Sequence, residues 1–272
     1  MADYIFRRLL YMLITLFAVA SILFLLFRML PGEATMQVIS PAMDEAVQQR
    51  MKAAFGLDKP LWQQYFIYLK NLFALEWGRS FVTAQEVTAI VSYRFWNTLL
   101  LMASGLCMTL TLGIGAGIVM AWKRNSSIDV GGTIVGLIFQ AAPPFITGLI
   151  LLMGLSYRLG LFPTGGMYPA GERPDSIFGL LLMPAFWERI VLPTVTVGMY
   201  YLATPMLVMR DSMLEVLGSD YIELARAKGL KPRIIMFRHA ARNALLGVVT
   251  LASIMVGFAV GGQVVVESLF SW

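Results

Sequence analysis

Five stretches of the chain, roughly 9–27, 97–122, 130–157, 191–209 and 244–266, contain no Asp, Glu, Lys, Arg or His. Each is close to or beyond the roughly 20 residues that a helix rising 1.5 Å per residue needs to cross the hydrocarbon of a bilayer. Lipid offers no partner to a backbone N–H or C=O, so a spanning segment must be a helix or part of a closed barrel. Runs this long, without alternation, read as helices. The sequence therefore predicts an all-α, polytopic membrane bundle with five visible spans in one transmembrane domain, 1–272. Composition agrees, because 58% hydrophobic and 14% charged residues leave too little charge for a soluble surface. The first run is not a cleaved leader. It stays apolar for about 19 residues and leads into Phe27-Arg28-Met29-Leu30-Pro31-Gly32 with no small-residue cleavage site.

The basic residues set the orientation. With the N-terminus inside, segments 1–8, 123–129 and 210–243 are cytoplasmic and hold 11 of the 21 Lys and Arg in about 49 residues. The outer segments 28–96 and 158–190 hold the other 10 in about 102 residues. The twofold higher density inside favours a cytoplasmic N-terminus. The excess of basic residues then reads as topology and contact with lipid headgroups, and with no basic tail or nucleic-acid module, RNA and DNA are not expected partners. Cys107 stands alone mid-span and can form no internal disulfide.

The outer segment between the first two spans, within loop 31–96, carries its own helical pattern. After Pro41, the apolar Val47, Met51, Ala54 and Phe55 recur at helical spacing behind Asp44 and Glu45, and Gly56 sits where that helix would stop. Pro60 is placed to open another helix, whose Leu61, Trp62, Tyr65, Phe66, Leu69 and Phe73 form an aromatic-rich face suited to a membrane interface. Two readings stand: a platform for an external binding protein, or a helix that anchors the loop.

Inside the spans the informative fact is the lack of charge. Machines driven by protons or voltage keep ionisable groups in their membrane helices, because moving that charge is their mechanism. Energy for uphill transport would have to come from a partner. Glycines are frequent: Gly113, Gly115 and Gly117, Gly132 and Gly136, and Gly257, Gly261 and Gly262 permit close backbone approach, either in ordinary packing or in a subunit seam. Pro143-Pro144 removes two backbone donors, so the third span should bend or break between Gln140 and Phe145. Such a break either borders a translocation path, with Gln140, Pro143, Pro144 and the polar Gln263 as candidate path residues, or is a packing kink.

Between the fourth and fifth runs lies a polar arm, 210–243. From Asp220 to Leu230 it reads Asp-Tyr-Ile-Glu-Leu-Ala-Arg-Ala-Lys-Gly-Leu, a short helix. Asp220 with Glu223 three residues on predicts a capping box, and Gly229 is placed to end the helix in the left-handed conformation. Pro232 suits the first turn of a second helix carrying Arg233, Phe237, Arg238 and Arg242 into the fifth span. Ala225 and Ala227 keep the short helix thin for a partner to close around, while Tyr221 and Leu224 offer apolar anchors. Spacing alone leaves a docking element and a surface connector equally open.

Glu223, followed by Ala225 two residues later and Gly229 six later, resembles the cytoplasmic loop signature of ABC importer permeases. The stretch from Asp220 to Leu245, with Ala-Arg-Ala-Lys-Gly-Leu and Phe-Arg-His-Ala-Ala-Arg-Asn-Ala-Leu, is similar to the coupling region of the dipeptide, oligopeptide and nickel permease family. Upstream, Arg-Arg-Leu-Leu near the start, Arg28 with Pro31-Gly32, Gly56-Leu57-Asp58-Lys59-Pro60-Leu61 and Trp77-Gly78-Arg79-Ser80 are similar to the first of the two permeases in those systems. The general signature ends in Ile-x-Leu-Pro where this chain has His239-Ala240-Ala241-Arg242, a departure common in this subfamily.

The resemblance implies an ABC importer permease fold with a sixth helix beyond Trp272, a five-helix chain being the alternative. It implies a second homologous permease, two ATPase subunits and an extracytoplasmic substrate-binding protein as partners. The ATPase-coupling residues would be Asp220, Tyr221, Glu223, Leu224, Ala225, Ala227, Lys228, Gly229 and Leu230. The solute would be a peptide or a related small molecule such as a nickel chelate. No catalytic residue, cofactor or metal is expected, because the chain has no Gly-x-x-x-x-Gly-Lys-Ser/Thr loop and its lone His239 has no second His or Cys to complete a site. An intramembrane protease lacks its Gly-x-Ser-Gly or His-Glu-x-x-His here. A self-contained channel or secondary carrier remains the alternative function, without the internal repeats or pathway charges usual in carriers.

Overall fold

The computed structural model describes residues 2–29, 59–80, 83 and 85–272. The helix expected after Pro41, with Asp44, Val47, Met51, Phe55 and Gly56, lies outside the described residues. The chain divides into two compact units, 1–93 and 94–272.

In the first unit, α1 (Ala2–Met29) is long enough, at 28 residues, to cross a bilayer with turns to spare. α2 (Leu61–Phe73) begins directly after Pro60, as the sequence predicts. The two are joined by aromatics. Phe24 meets the Tyr65 ring edge-on at 5.2 Å, and the Ser21 hydroxyl and Tyr65 hydroxyl are 2.6 Å apart. Leu61, Trp62, Phe66 and Phe73 on α2 stay exposed, while Tyr65 of the same predicted face packs on Phe24.

The second unit is a helical bundle centred on α7. Its elements are α3 (Val87–Trp122, which starts within the first unit), α4 (Ser127–Ala141), α5 (Pro144–Arg158), the short α6 (Ile177–Leu182), α7 (Pro184–Leu217), α8 (Asp220–Ala227), α9 (Pro232–Ala259) and α10 (Val264–Leu269). Among the described residues four helices, α1, α3, α7 and α9, are long and apolar enough to cross a membrane, and the pair α4–α5, bent by 101°, counts as a fifth where it is taken as one broken span. The bend falls at Pro143, where the chain is extended and where two successive prolines cannot donate the helical hydrogen bonds. The predicted break is therefore present. α5 ends in π-helical turns over Leu152–Arg158, and α9 contains another such stretch, Ile235–Ala241.

The helices overrun the apolar stretches that marked them. α7 begins seven residues before the fourth run and α9 twelve before the fifth, because a helix continues through polar surroundings until its backbone is capped. The fifth run itself is not one span. α9 stops at Ala259, Gly262 takes φ +70°, and α10 starts separately at Val264, which corrects the continuous 244–266 span expected from composition. Gly262 permits that turn, where a residue with a side chain would be strained.

Glycine also sets how closely α3 approaches α7. A methyl group at Gly105 would lie 2.6 Å from Val197, and one at Gly117 would lie 2.5 Å from the Met206 carbonyl oxygen. Gly113 faces Pro205 in the same way, whereas Gly115 faces open space. On α4, Gly136 makes room for Met206 and Gly132 for Met120. At one end of this bundle Phe186, Leu192, Val197, Phe270 and Trp272 form one core, closed by α10 and the chain after it. At the other, Ile118, Met209, Met213, Ile222 and Ala240 form a second core beneath α8.

Candidate functional site

The arm begins where α7 ends at Leu217 and Gly218. Ser219, with extended backbone angles, is the residue that precedes the first turn of α8, and Asp220 is already its first helical residue. This corrects the capping box: no side chain caps this end, and the Ser219 hydroxyl donates back to the Val216 carbonyl at 2.6 Å. Asp220 and Glu223 instead lie in the first turn and Arg226 in the last, the arrangement that complements the helix dipole.

The other end closes as the sequence predicts. Gly229 adopts φ +71°, its N–H donates to the Arg226 carbonyl at 2.9 Å, and the Leu230 N–H donates to the Ala225 carbonyl at 3.3 Å. These paired bonds are a Schellman motif, and they turn the chain sharply towards Pro232, the first residue of α9.

One face of α8 belongs to the protein's own core. Ile222 is wholly buried and Ala225 nearly so, packed with Met209 and Met213 of α7 and Ile235 and Ala240 of α9. Ala225 is thus turned inward, not towards a partner, and Leu230 is a half-buried contact of the same core. Across the arm, Asn243 of α9 donates to the Tyr221 hydroxyl at 2.6 Å. The outer face carries Tyr221 at 41% exposure and Leu224 at 55%, flanked by exposed Asp220, Glu223, Ala227, Lys228 and Gly229. A two-turn helix could not hold its shape alone in water. Here tertiary packing, a terminal cap and a side-chain bond fix it.

An ion pair missed by sequence reasoning fastens the same end of the bundle. Asp129, in the first turn of α4 and almost fully buried, receives Nε of Arg210 at 2.5 Å and its Nη2 at 3.0 Å. The Asn125 backbone N–H donates to the same carboxylate at 2.9 Å, and Arg210 also donates to Asp211 at 2.8 Å. This fork ties α4 to α7 one turn above Met213. The signal was present only as two charges at the margins of separate apolar runs, and nothing local joins residues 81 apart.

The candidate path residues are divided between the two helix breaks. Gln140 is exposed on the last turn of α4 and donates to the Thr204 hydroxyl at 3.3 Å. Pro143 and Pro144 form the bend beside it. Gln263 is half-buried between α9 and α10 and donates to the Tyr201 hydroxyl at 2.8 Å. The structure does not bring these residues to the arm; both glutamines meet α7 instead. Close by, Glu267 is buried, its Oε1 accepting from the Thr98 hydroxyl at 2.9 Å, while Trp272 donates from its indole to the Asn97 carbonyl at 2.8 Å.

Residues 113–272 match the family described as the binding-protein-dependent transport system inner membrane component, and residues 1–102 match the N-terminal family of the same transport systems. The oligopeptide transport system permease protein AppB of Bacillus subtilis (strain 168) is 36% identical over 279 residues, covering all of this chain and 84% of that protein. The glutathione transport system permease protein GsiC of Escherichia coli (strain K12) is 32% identical over 272 residues, covering all of this chain and 83% of its own length. With the helical membrane architecture, these matches establish that the chain belongs to the binding-protein-dependent transport system inner membrane component family, as a permease subunit of an ABC importer.

Proposed function

We propose that this chain is one of two related permeases enclosing the path of an importer for peptides or a related small solute, and that α8 is the lever through which a cytoplasmic ATPase moves it. The names of AppB and GsiC support the solute class. The observation that carries the coupling role is that α8 is rigid on one side and open on the other. Burying Ile222 alone is worth about 1.5–3 kcal/mol, against which a frayed arm would have to compete. Exposed Tyr221 and Leu224 supply the apolar anchors of a helix-in-groove contact. A partner gripping that face would push on α7 and α9 directly, through Met213, Ile235 and Asn243.

In this reading the N-terminus and the arm are cytoplasmic, as the distribution of Lys and Arg favours. Two ATPases each grip one permease, a second homologous permease completes the path, and an extracytoplasmic binding protein delivers the solute. The partners bind and hydrolyse ATP. The test is affinity purification of the complex from cells expressing the neighbouring genes, followed by ATP-dependent peptide uptake in proteoliposomes. Leu224→Arg should strip the ATPase subunits while leaving the thermal stability of the permease nearly unchanged, because that side chain is more than half exposed. Retention of both ATPases and uptake by Leu224→Arg would reduce the arm to a connector. Flux through the chain alone, without ATPases, would favour a channel or carrier.

A further inference from the structure

The two breaks in the membrane helices place polar side chains on one face of α7. Tyr201 and Thr204 are three residues apart and therefore neighbours on that helix. Gln263 reaches the first from the end of α9, and Gln140 reaches the second from the end of α4. We propose that this seam, Gln140–Thr204 and Tyr201–Gln263, is a solute-binding surface of the translocation path that exchanges hydrogen bonds with the uncharged amide groups of a peptide backbone. The proposal rests on the permease reading above.

The argument is one of unmet hydrogen-bonding capacity. A glutamine side chain has two N–H donors and a carbonyl with two lone pairs, and among the described residues Gln140 and Gln263 each use one of these, an Nε2 hydrogen donated to α7. Gln140 is exposed, in a helix whose other exposed residues include Ile134, Val135, Leu137 and Ile138. Beside it, Pro143 and Pro144 have no N–H with which to close the helical turns onto the Phe139 and Gln140 carbonyls. Open carbonyls and an open amide cannot face lipid tails, where nothing satisfies them. They belong against water or a polar solute, the setting in which broken membrane helices form transport sites.

The residue types narrow the ligand. The four side chains offer amides and hydroxyls, not a carboxylate, ammonium or guanidinium group, and the nearby Glu267 carboxylate is buried and engaged by Thr98. An amide group matches it, since both glutamines donate and accept as a peptide unit does.

The experiment uses the purified complex with single cysteines in a Cys107→Ser background. Gln140→Cys and Gln263→Cys should react with the membrane-impermeant thiol reagent sulfonatoethyl methanethiosulfonate on the order of tenfold faster than Ile138→Cys, an exposed apolar position turned to another side of α4. Rates equal to that of Ile138→Cys would put the seam outside the path and overturn the proposal. Gln140→Leu and Gln263→Leu should each lower ATP-dependent uptake of labelled trialanine on the order of tenfold, with the ATPase subunits still bound; Thr204→Val should act in the same direction if a leucine variant fails to assemble. Undiminished uptake by these variants, or no trialanine uptake by a wild-type complex whose cysteine variants do react, would overturn the peptide assignment. Failure of the wild-type complex to retain ATPases would instead refute the importer reading, and the labelling contrast does not depend on it.

Discussion

Replacing Gly229 isolates the geometry of the arm from its contacts. A Cβ at this position would meet nothing within 4 Å, so steric conflict with neighbours is not the issue; the backbone is, at φ +71°. Holding a β-branched residue there costs about 1–2 kcal/mol. If valine instead relaxes to negative φ, the bonds from Gly229 N–H to Arg226 and from Leu230 N–H to Ala225 are lost, at about 0.5–1.5 kcal/mol each. The first route lowers the population of the native turn roughly 5- to 30-fold, the second, with two bonds lost, roughly 5- to 160-fold. Gly229→Val should therefore insert normally, since the spans are untouched, yet lose ATPase subunits on purification and lose uptake. Gly229→Asn should be nearly silent, because asparagine tolerates the left-handed region. Full uptake by Gly229→Val, or equal damage from both variants, would refute the reasoning. Glu223→Lys should be milder than Gly229→Val, since it reverses only a first-turn charge and breaks no cap.

Gly117→Ala should destabilise the purified permease by about 1–3 kcal/mol, because its methyl would press on the Met206 carbonyl, while Gly115→Ala, facing open space, should be neutral or slightly stabilising; thermal unfolding in detergent compares them. Asp129→Asn should lower the melting temperature in the same assay, losing about 1.5–3 kcal/mol of charge-assisted bonding to Arg210, and an unchanged melting temperature would mean that the fork is not structural. Cysteines at Ser127 and Lys228 should resist an impermeant thiol reagent added to intact spheroplasts while one at Ala170 labels, and the reverse pattern would invert the arm. Pro205→Ala restores an N–H that can bond the Tyr201 carbonyl, stiffening α7 between the arm and the glutamine seam; uptake should fall while assembly persists, and wild-type uptake would show that no bend at Pro205 is needed.

What the sequence made legible is what backbone chemistry alone dictates. The spans follow from the length of apolar chain that lipid demands, the break at Pro143 from missing donors, and the start of α9 at Pro232 and the turn at Gly229 from residues with restricted or unusually free φ. The first turn of α8 shows where this stops. Ser219 and Asp220 are both good caps in adjacent positions, and the choice between them depends on how α7 ends, which local pattern does not encode. The fifth run failed for a related reason. Its composition stays apolar through Gly261 and Gly262, so hydropathy sees one run where the helix stops and a second begins.

The remaining misses share a cause: each depends on which helix faces which. Gly115 and Gly117 are equivalent in sequence, yet one faces open space and the other touches α7, because two residues rotate a helix position by about 200°. Ala225 and Ala227 separate in the same way, one buried under Met213 and its neighbours, the other exposed. Asp129 and Arg210 sit at the edges of different runs, and the rule that membrane interiors lack charge made each look like loop. Helix α7 resolves these ambiguities at once. It receives the glycine face of α3, the carboxylate of α4, the inner face of α8 and both glutamines. The arm contacts α7 through Met209 and Met213, and the seam lies on Tyr201 and Thr204, about 13 Å away along the same helix at 1.5 Å per residue. A helix packed against glycines on one side and pinned by the Arg210 fork to buried Asp129 cannot slide freely. If α8 is the lever proposed above, its displacement would either move α7 as a rod or bend it at Pro205, and both routes would end at the glutamine seam.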